Sequence, residues 1–201
     1  YSRQMILPEI GLEGQERLQG ARVMIVGLGG LGTPVAQYLA MAGVGHLILA
    51  DGDRVALDNL HRQVLYGEND TGRFKAGVVG ERLRGIRGDL TLTLYEERMV
   101  EESLLRAVSG VDLVVDASDN FPTRHMVNRV CVSRGIPLVW GAASHWEGQV
   151  SAVLPQRGSP CYRCLVDRLE PVGGGCDARG IWPPVTAMVG AIQAGEAMKL
   201  L

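Results

Sequence analysis

Apolar positions in this chain fall in short uninterrupted runs, and the stretches between them either repeat at helical spacing or turn polar. Val23–Val26 is one such run; Leu31, Val35 and Leu39 follow at helix period, and His46–Ala50 is a second run. A polar loop spans Gly52–Gly72. Beyond it the pattern predicts a helix over 73–87, a strand at Leu90–Glu96 and a helix over 101–107. Val111–Asp116 (VDLVVD) reads as a buried strand, 122–134 as a helix, Ile136–Ala142 as a strand, and Glu147–Leu154 alternates enough to be one more. A short amphipathic segment, Leu12–Gln19, precedes all of these, and Leu201 falls inside what reads as a helix. Strands alternating with helices predict an α/β fold: a doubly wound, mostly parallel sheet, with an irregular C-terminal extension. With no repeat and no low-complexity linker, a single domain over residues 1–201 is expected.

In such a sheet, ligands bind outside the carboxyl ends of the strands. Three of those ends carry unusual polar sequence: Asp51-Gly-Asp53, Asp116-Ala-Ser-Asp119-Asn120 and Gly141-Ala-Ala-Ser144. The first strand runs directly into Gly27-Leu-Gly29-Gly30-Leu-Gly32, which opens a helix, and Asp51 stands 19 residues after Gly32. Glycines let the backbone turn tightly and approach a phosphate, the helix N-terminus directs N–H groups at it, and Asp51 can accept from ribose hydroxyls. This is a Rossmann-like nucleotide-binding unit. Glycine turns also serve plain packing, and on this motif alone an NAD-dependent oxidoreductase is the leading expectation.

The composition narrows the setting. Hydrophobic residues make up 46% of the 201, charged residues 21%, and the net charge is −2, which gives no electrostatic case for nucleic acid or an anionic membrane. Residues 23–45 carry no charge, but six glycines, Pro34 and Gln37 interrupt the stretch, so strand, turn and helix explain it better than a membrane span. No signal peptide opens the sequence, and a cytoplasmic setting is expected. The four cysteines are too few for a disulfide scaffold; Cys161-Tyr-Arg-Cys164 points to metal or thiol chemistry in a reducing compartment. Because the sequence opens at Tyr1 and stops within a helix, truncation at the C-terminus is expected.

Arg62, in Asp58-Asn59-Leu60-His61-Arg62-Gln63, and Arg73 and Lys75, in Gly72-Arg73-Phe74-Lys75, place cations shortly after the second strand. A dehydrogenase needs few fixed charges there, whereas a triphosphate needs them to hold its β- and γ-phosphates; a solvated basic face is the plainer alternative. Asp119 can offer Mg²⁺ an oxygen ligand, with help from Asp116, although an acid at a strand end is also a common helix cap.

Taken together, these segments resemble the ThiF/MoeB/HesA family of ubiquitin-activating-enzyme-like adenylyltransferases. The likeness runs through Tyr1-Ser-Arg3-Gln4, Gly27–Gly32, Asp51-Gly-Asp53, Asn59-Leu-His-Arg62-Gln63, Lys75, Asp116-Ala-Ser-Asp119-Asn120, Gly141-Ala-Ala, Glu147-Gly-Gln149, Cys161-Tyr-Arg-Cys164 and Gln193-Ala-Gly-Glu196-Ala-Met-Lys199. It implies that the protein binds Mg·ATP and adenylylates the C-terminal Gly-Gly carboxylate of a ubiquitin-like sulfur carrier (MoaD- or ThiS-like), releasing pyrophosphate. Carried over by position, Gly27, Gly29, Gly30 and Gly32 take the phosphates, Asp51 the ribose, Asn59, Arg62 and Lys75 the triphosphate, and Asp119 the magnesium, with Asp53 also among the cofactor-binding residues. Arg3 resembles the residue that family dimers lend to the partner subunit's ATP, so a homodimer is implied.

The same resemblance makes Cys161 and Cys164 half of a Zn²⁺ site, to be closed by a second CxxC that this sequence lacks. A redox CxxC should open a helix, whereas this one follows Ser159-Pro160 and is expected in a loop. Cys176, in Gly173-Gly-Gly-Cys176, aligns with the cysteine that joins the carrier covalently in some members; a bystander thiol is the other reading. Cys131 is expected in the core, and His61, His125 and His145 as polar lining near the site. Three other readings stand beside the leading one, of which a non-catalytic partner-binding subunit is disfavoured because it would be expected to have lost the ATP-contacting residues. A tRNA-modifying dehydratase of the same superfamily is disfavoured by the CxxC and the near-neutral charge. An NAD-dependent oxidoreductase is disfavoured by Arg62, Lys75 and Asp119.

Overall fold

The computed structural model describes residues 1–166 and 180–201. Its centre is a six-stranded sheet in the order β3-β2-β1-β4-β5-β6: β1 Arg22–Val26, β2 His46–Ala50, β3 Thr91–Tyr95, β4 Leu113–Asp116, β5 Leu138–Ser144 and β6 Glu147–Val153. Strands β1 to β5 are parallel and β6 returns antiparallel along β5. Each predicted strand is present, with ends within two residues of the expected ones; β5 is shifted two residues toward the C-terminus.

Burial on both faces explains why these strands read as continuous apolar runs rather than as alternating ones. On one face Val23, Ile25, Leu47, Leu49, Leu113 and Val115 pack with residues of α3 (Gly32–Ala42), α4 (Lys75–Ile86) and α8 (Pro183–Leu200). On the other, Met24, Val26, Ile48, Val114, Leu138 and Trp140 pack with α5 (Glu101–Ala107), α6 (Phe121–Arg134) and α7 (Tyr162–Val166). Helices α1 (Ser2–Met5) and α2 (Gly11–Gly20) precede the sheet; α1 was not evident from the sequence.

Local chemistry sets the helix ends. Asn120 caps α6 by accepting from Thr123 N–H at 3.0 Å, Pro122 sits in the first turn, and Gly135 ends the helix in the left-handed region. After β6 the described residues form a short turn at Pro155–Arg157 and α7 before the long helix α8. That last helix crosses the start of α3 at Gly190, where a Cβ would stand 2.4 Å from Leu31 O.

Candidate active site

The order of connections reverses between β1 and β4, and the crevice at that switch point is where an open α/β sheet takes a ligand. A cavity of about 740 Å³ opens there. Its walls include Gly27, Gly29 and Gly30 after β1, Asp51 and Asp53 after β2, and Ser118, Asp119 and Asn120 after β4. Asn59, His61, Arg62, Gln63 and Lys75 close one side.

The glycine turn is built by close approaches. A Cβ on Gly27, whose φ is +90°, would meet Ala117 O at 2.8 Å; one on Gly30 would meet Thr186 at 2.9 Å; one on Gly32 would lie 1.9 Å from Gly27 O. Gly32 does not line the cavity, so its place in the motif is one of packing rather than phosphate contact. Gly29 is different, because a Cβ there would touch only Gln63 Nε2 at 3.6 Å. No side chain caps the N-terminus of α3, so its dipole faces the cavity uncompensated.

Asp51 spends both carboxylate oxygens on the backbone: Leu28 N–H donates to Oδ2 at 2.7 Å and Asp53 N–H to Oδ1 at 2.8 Å. Burial pushes its carboxyl above the usual range, opposed by the nearby Lys75 charge and by these two N–H donors. Lys75 is itself buried, with Nζ 3.4 Å from Asp53 Oδ2. Asn59 Oδ1 accepts from Arg62 at 2.5 Å and from Gln63 Nε2 at 3.2 Å, so one amide aims both side chains. Arg73 points elsewhere, held by Asp70 at 2.9 Å and Glu81 at 2.6 Å.

Across the cavity Asp119 is exposed and accepts from Asn120 Nδ2 at 3.3 Å. Asp116 is buried, which raises its pKa, against the opposing pull of Ser118 and Arg124. Arg124 lines the cavity while its guanidinium donates twice to Ser118 O, at 3.2 and 2.8 Å.

Residues 1–201 match the ThiF family. The chain belongs to the ThiF family. It is 47% identical to the sulfur carrier protein adenylyltransferase of Thermus thermophilus, over all of this chain and 76% of that protein. It is 45% identical to the sulfur carrier protein ThiS adenylyltransferase of Escherichia coli, over all of this chain and 80% of that one. The crystal structure of E. coli MccB with ATP superposes with a TM-score of 0.80 at 26% identity, covering 93% of this chain and 57% of MccB. The chain thus spans little more than half the length of that structural relative.

Arg3, His125, His145 and Cys131 of this ThiF-family chain do not line the cavity. Arg3 is exposed on α1, which Gln4 ties to Ala42 O at 2.7 Å, and it does not line the cavity of its own chain. His125 packs edge-on against Tyr162, with ring centroids 5.3 Å apart, and only His61 of the three histidines lines the cavity. Cys131 is a core residue, its thiol pushed by burial up to about 12. Cys176 lies outside the described residues.

The loop reading of Cys161-Tyr-Arg-Cys164 needs correcting, because Cys161 immediately precedes α7 and Cys164 lies within it. The two Sγ atoms are 3.6 Å apart. Burial raises the Cys161 thiol pKa, but hydrogen bonds from Cys164, Asn128 and Arg163 outweigh it and leave the thiol below its ordinary value. A helix start is where a redox CxxC belongs, so position does not separate that reading from metal binding.

Sequence reasoning missed Arg54, Arg98 and Arg124, which add three cations to the cavity wall. Arg54 stacks over Phe74 at 3.9 Å and donates to Gly72 O at 2.6 Å. None sits in a recognisable motif; only the fold brings them together. The stacked pair Trp146 and Trp182 was missed for the same reason.

Proposed function

We propose that this chain joins the C-terminal carboxylate of a ubiquitin-like sulfur carrier ending in Gly-Gly to the AMP portion of ATP. A carboxylate oxygen attacks the α-phosphorus, the bond to the bridging oxygen breaks, and pyrophosphate leaves with the electron pair. One observation carries this reading: an uncapped helix N-terminus and several cations, Arg54, Arg62, Lys75, Arg98 and Arg124, converge on a single cavity. The same cavity carries five carboxylates, Asp51, Asp53, Asp58, Glu97 and Asp119, so it offers paired cations and acids rather than a net positive field. Hydride transfer needs neither set, whereas two anions that must meet need the cations and a triphosphate's counter-ion needs an acid. The names carried by the T. thermophilus and E. coli relatives support the sulfur carrier as substrate.

Arg62, aimed by Asn59, and Lys75, held beside Asp53, neutralise the phosphates as charge moves to the leaving group. They act as electrostatic partners, not as general bases. Asp119 presents an exposed carboxylate to the same cavity, a donor suited to Mg²⁺, which would further neutralise the triphosphate.

The CxxC fits zinc as well. Two thiolates on a tetrahedral Zn²⁺ with ~2.3 Å bonds lie roughly 3.8 Å apart, close to the 3.6 Å between Cys161 and Cys164. No group of three or more His, Cys, Asp or Glu able to hold a metal occurs among the described residues, so the other two ligands would come from elsewhere in the protein. The working unit is a homodimer in which Arg3 serves the opposite subunit's ATP. No helix among the described residues is long and apolar enough to cross a membrane, which is compatible with a cytoplasmic enzyme. Carrier-dependent exchange of labelled pyrophosphate into ATP tests the activity.

A further inference from the structure

Trp146 and Trp182 stack with ring centroids 5.0 Å apart and planes tilted by 32°, and Trp182 directly follows Gly180 and Ile181 of the cavity wall. They are 73% and 40% exposed, so two large indoles lie together in solvent.

The backbone holds them there. His145, in the β5–β6 turn, takes a left-handed φ of +54°, rare for a residue other than glycine. Its N–H donates to Gly180 O at 3.2 Å, and its carbonyl accepts from Trp182 N–H at 2.8 Å. This bridge, pairing His145 with Ile181, places the two tryptophans side by side. Gly180 and Ile181 both line the cavity, so the indole pair continues the cavity wall outward to solvent.

Rings at 5.0 Å touch each other, so no chain threads between them; the available surface is their shared outer face. A peptide plane lies flat on an indole only where no side chain lifts it away. Glycine meets that condition at every position, and a Gly-Gly carboxylate bound for this cavity must cross its rim.

We propose that the Trp146–Trp182 pair is the surface on which the carrier's Gly-Gly tail lies as its carboxylate enters the cavity. This rests on the adenylation reading. The two tryptophans act as specificity determinants, outside the ATP-contacting set.

The test is pyrophosphate exchange by the full chain with ThiS- and MoaD-type carriers, comparing wild type, Trp146→Ala and Trp146→Phe. Trp146→Ala should raise KM for the carrier by about tenfold and leave KM for ATP unchanged. Trp146→Phe, which keeps an aromatic face, should recover most of that loss. An unchanged carrier KM in Trp146→Ala overturns the inference, as does a parallel rise in KM for ATP. A change of oligomeric state with carrier KM unaltered would make the pair a contact between copies of this chain and also overturn it. Exchange by wild type separates this inference from the one beneath it: if wild type exchanges with no carrier, both fall; if it exchanges and Trp146→Ala matches it, only the tail-binding surface does.

Discussion

Asp51 reaches from the end of β2 to accept the N–H of Leu28 at 2.7 Å, in the middle of the glycine turn. The carbonyl of the same residue accepts from the buried Tyr66 hydroxyl, also at 2.7 Å. Leu28 is therefore anchored through its N–H and its carbonyl, and the turn is shaped before any ligand arrives.

That rigidity separates the glycines by role. Gly32→Ala drives a Cβ to within 1.9 Å of Gly27 O, a backbone atom with no room to yield. It should cost roughly 3 kcal/mol or more of stability. Gly29→Ala should fold within about 1 kcal/mol of wild type and weaken ATP about tenfold by crowding the phosphate. Denaturant melts paired with ATP titrations check both, and the opposite order of stabilities would refute the assignment.

Arg62→Ala should remove about 3 kcal/mol of transition-state stabilisation, comparable to losing one oxyanion donor. Asn59→Ala should cost less, since Arg62 keeps its charge and loses only the 2.5 Å contact that aims it. Steady-state exchange kinetics decide this. Full activity in Arg62→Ala would remove that residue from the mechanism.

How far the sequence carried depends on the kind of signal. Buried parallel strands such as Val23–Val26 and Leu113–Asp116 are legible because burial on both faces leaves little but apolar residues. The ends of α6 are legible because Asn120, Pro122 and Gly135 are local signals. Arg54, Arg98 and Arg124 were not, because they reach one cavity from three separate segments and only tertiary contact unites them. The helix after Cys161 was missed because α7 is five residues long, too short to show a period. Gly32 was legible as part of the turn, but whether a glycine spares room for a phosphate or for a carbonyl is a question of three-dimensional contact.

Arg3 does not line its own cavity, so a catalytic part for it requires a second subunit. Arg3→Ala and Asp119→Ala should each abolish most exchange, and mixing the two proteins under conditions of subunit exchange should restore about a quarter of wild-type activity. That figure assumes half the molecules become heterodimers, each with one intact composite site. No recovery despite proven exchange would exclude action across the dimer.

Asp116 gives a pH dependence of known sign. Burial raises its pKa above that of an exposed aspartate, so the folded state holds the proton more tightly. Its contribution to stability is then present below that value and lost as pH rises through the folded-state pKa. Asp116→Asn keeps an acceptor for Ser118 N–H and cannot ionise. Stability should therefore fall less in Asp116→Asn than in wild type as pH rises above about 4. Parallel curves from denaturant unfolding would show that Asp116 is not the group responsible.

The central claim is tested most directly by ATP–pyrophosphate exchange with a carrier supplied intact or with its last two glycines removed. The cation-lined cavity predicts exchange that requires Mg²⁺, ATP and the intact Gly-Gly carboxylate together, and that collapses when the tail is clipped. Exchange indifferent to the tail, or binding of NAD with no binding of ATP, would contradict it.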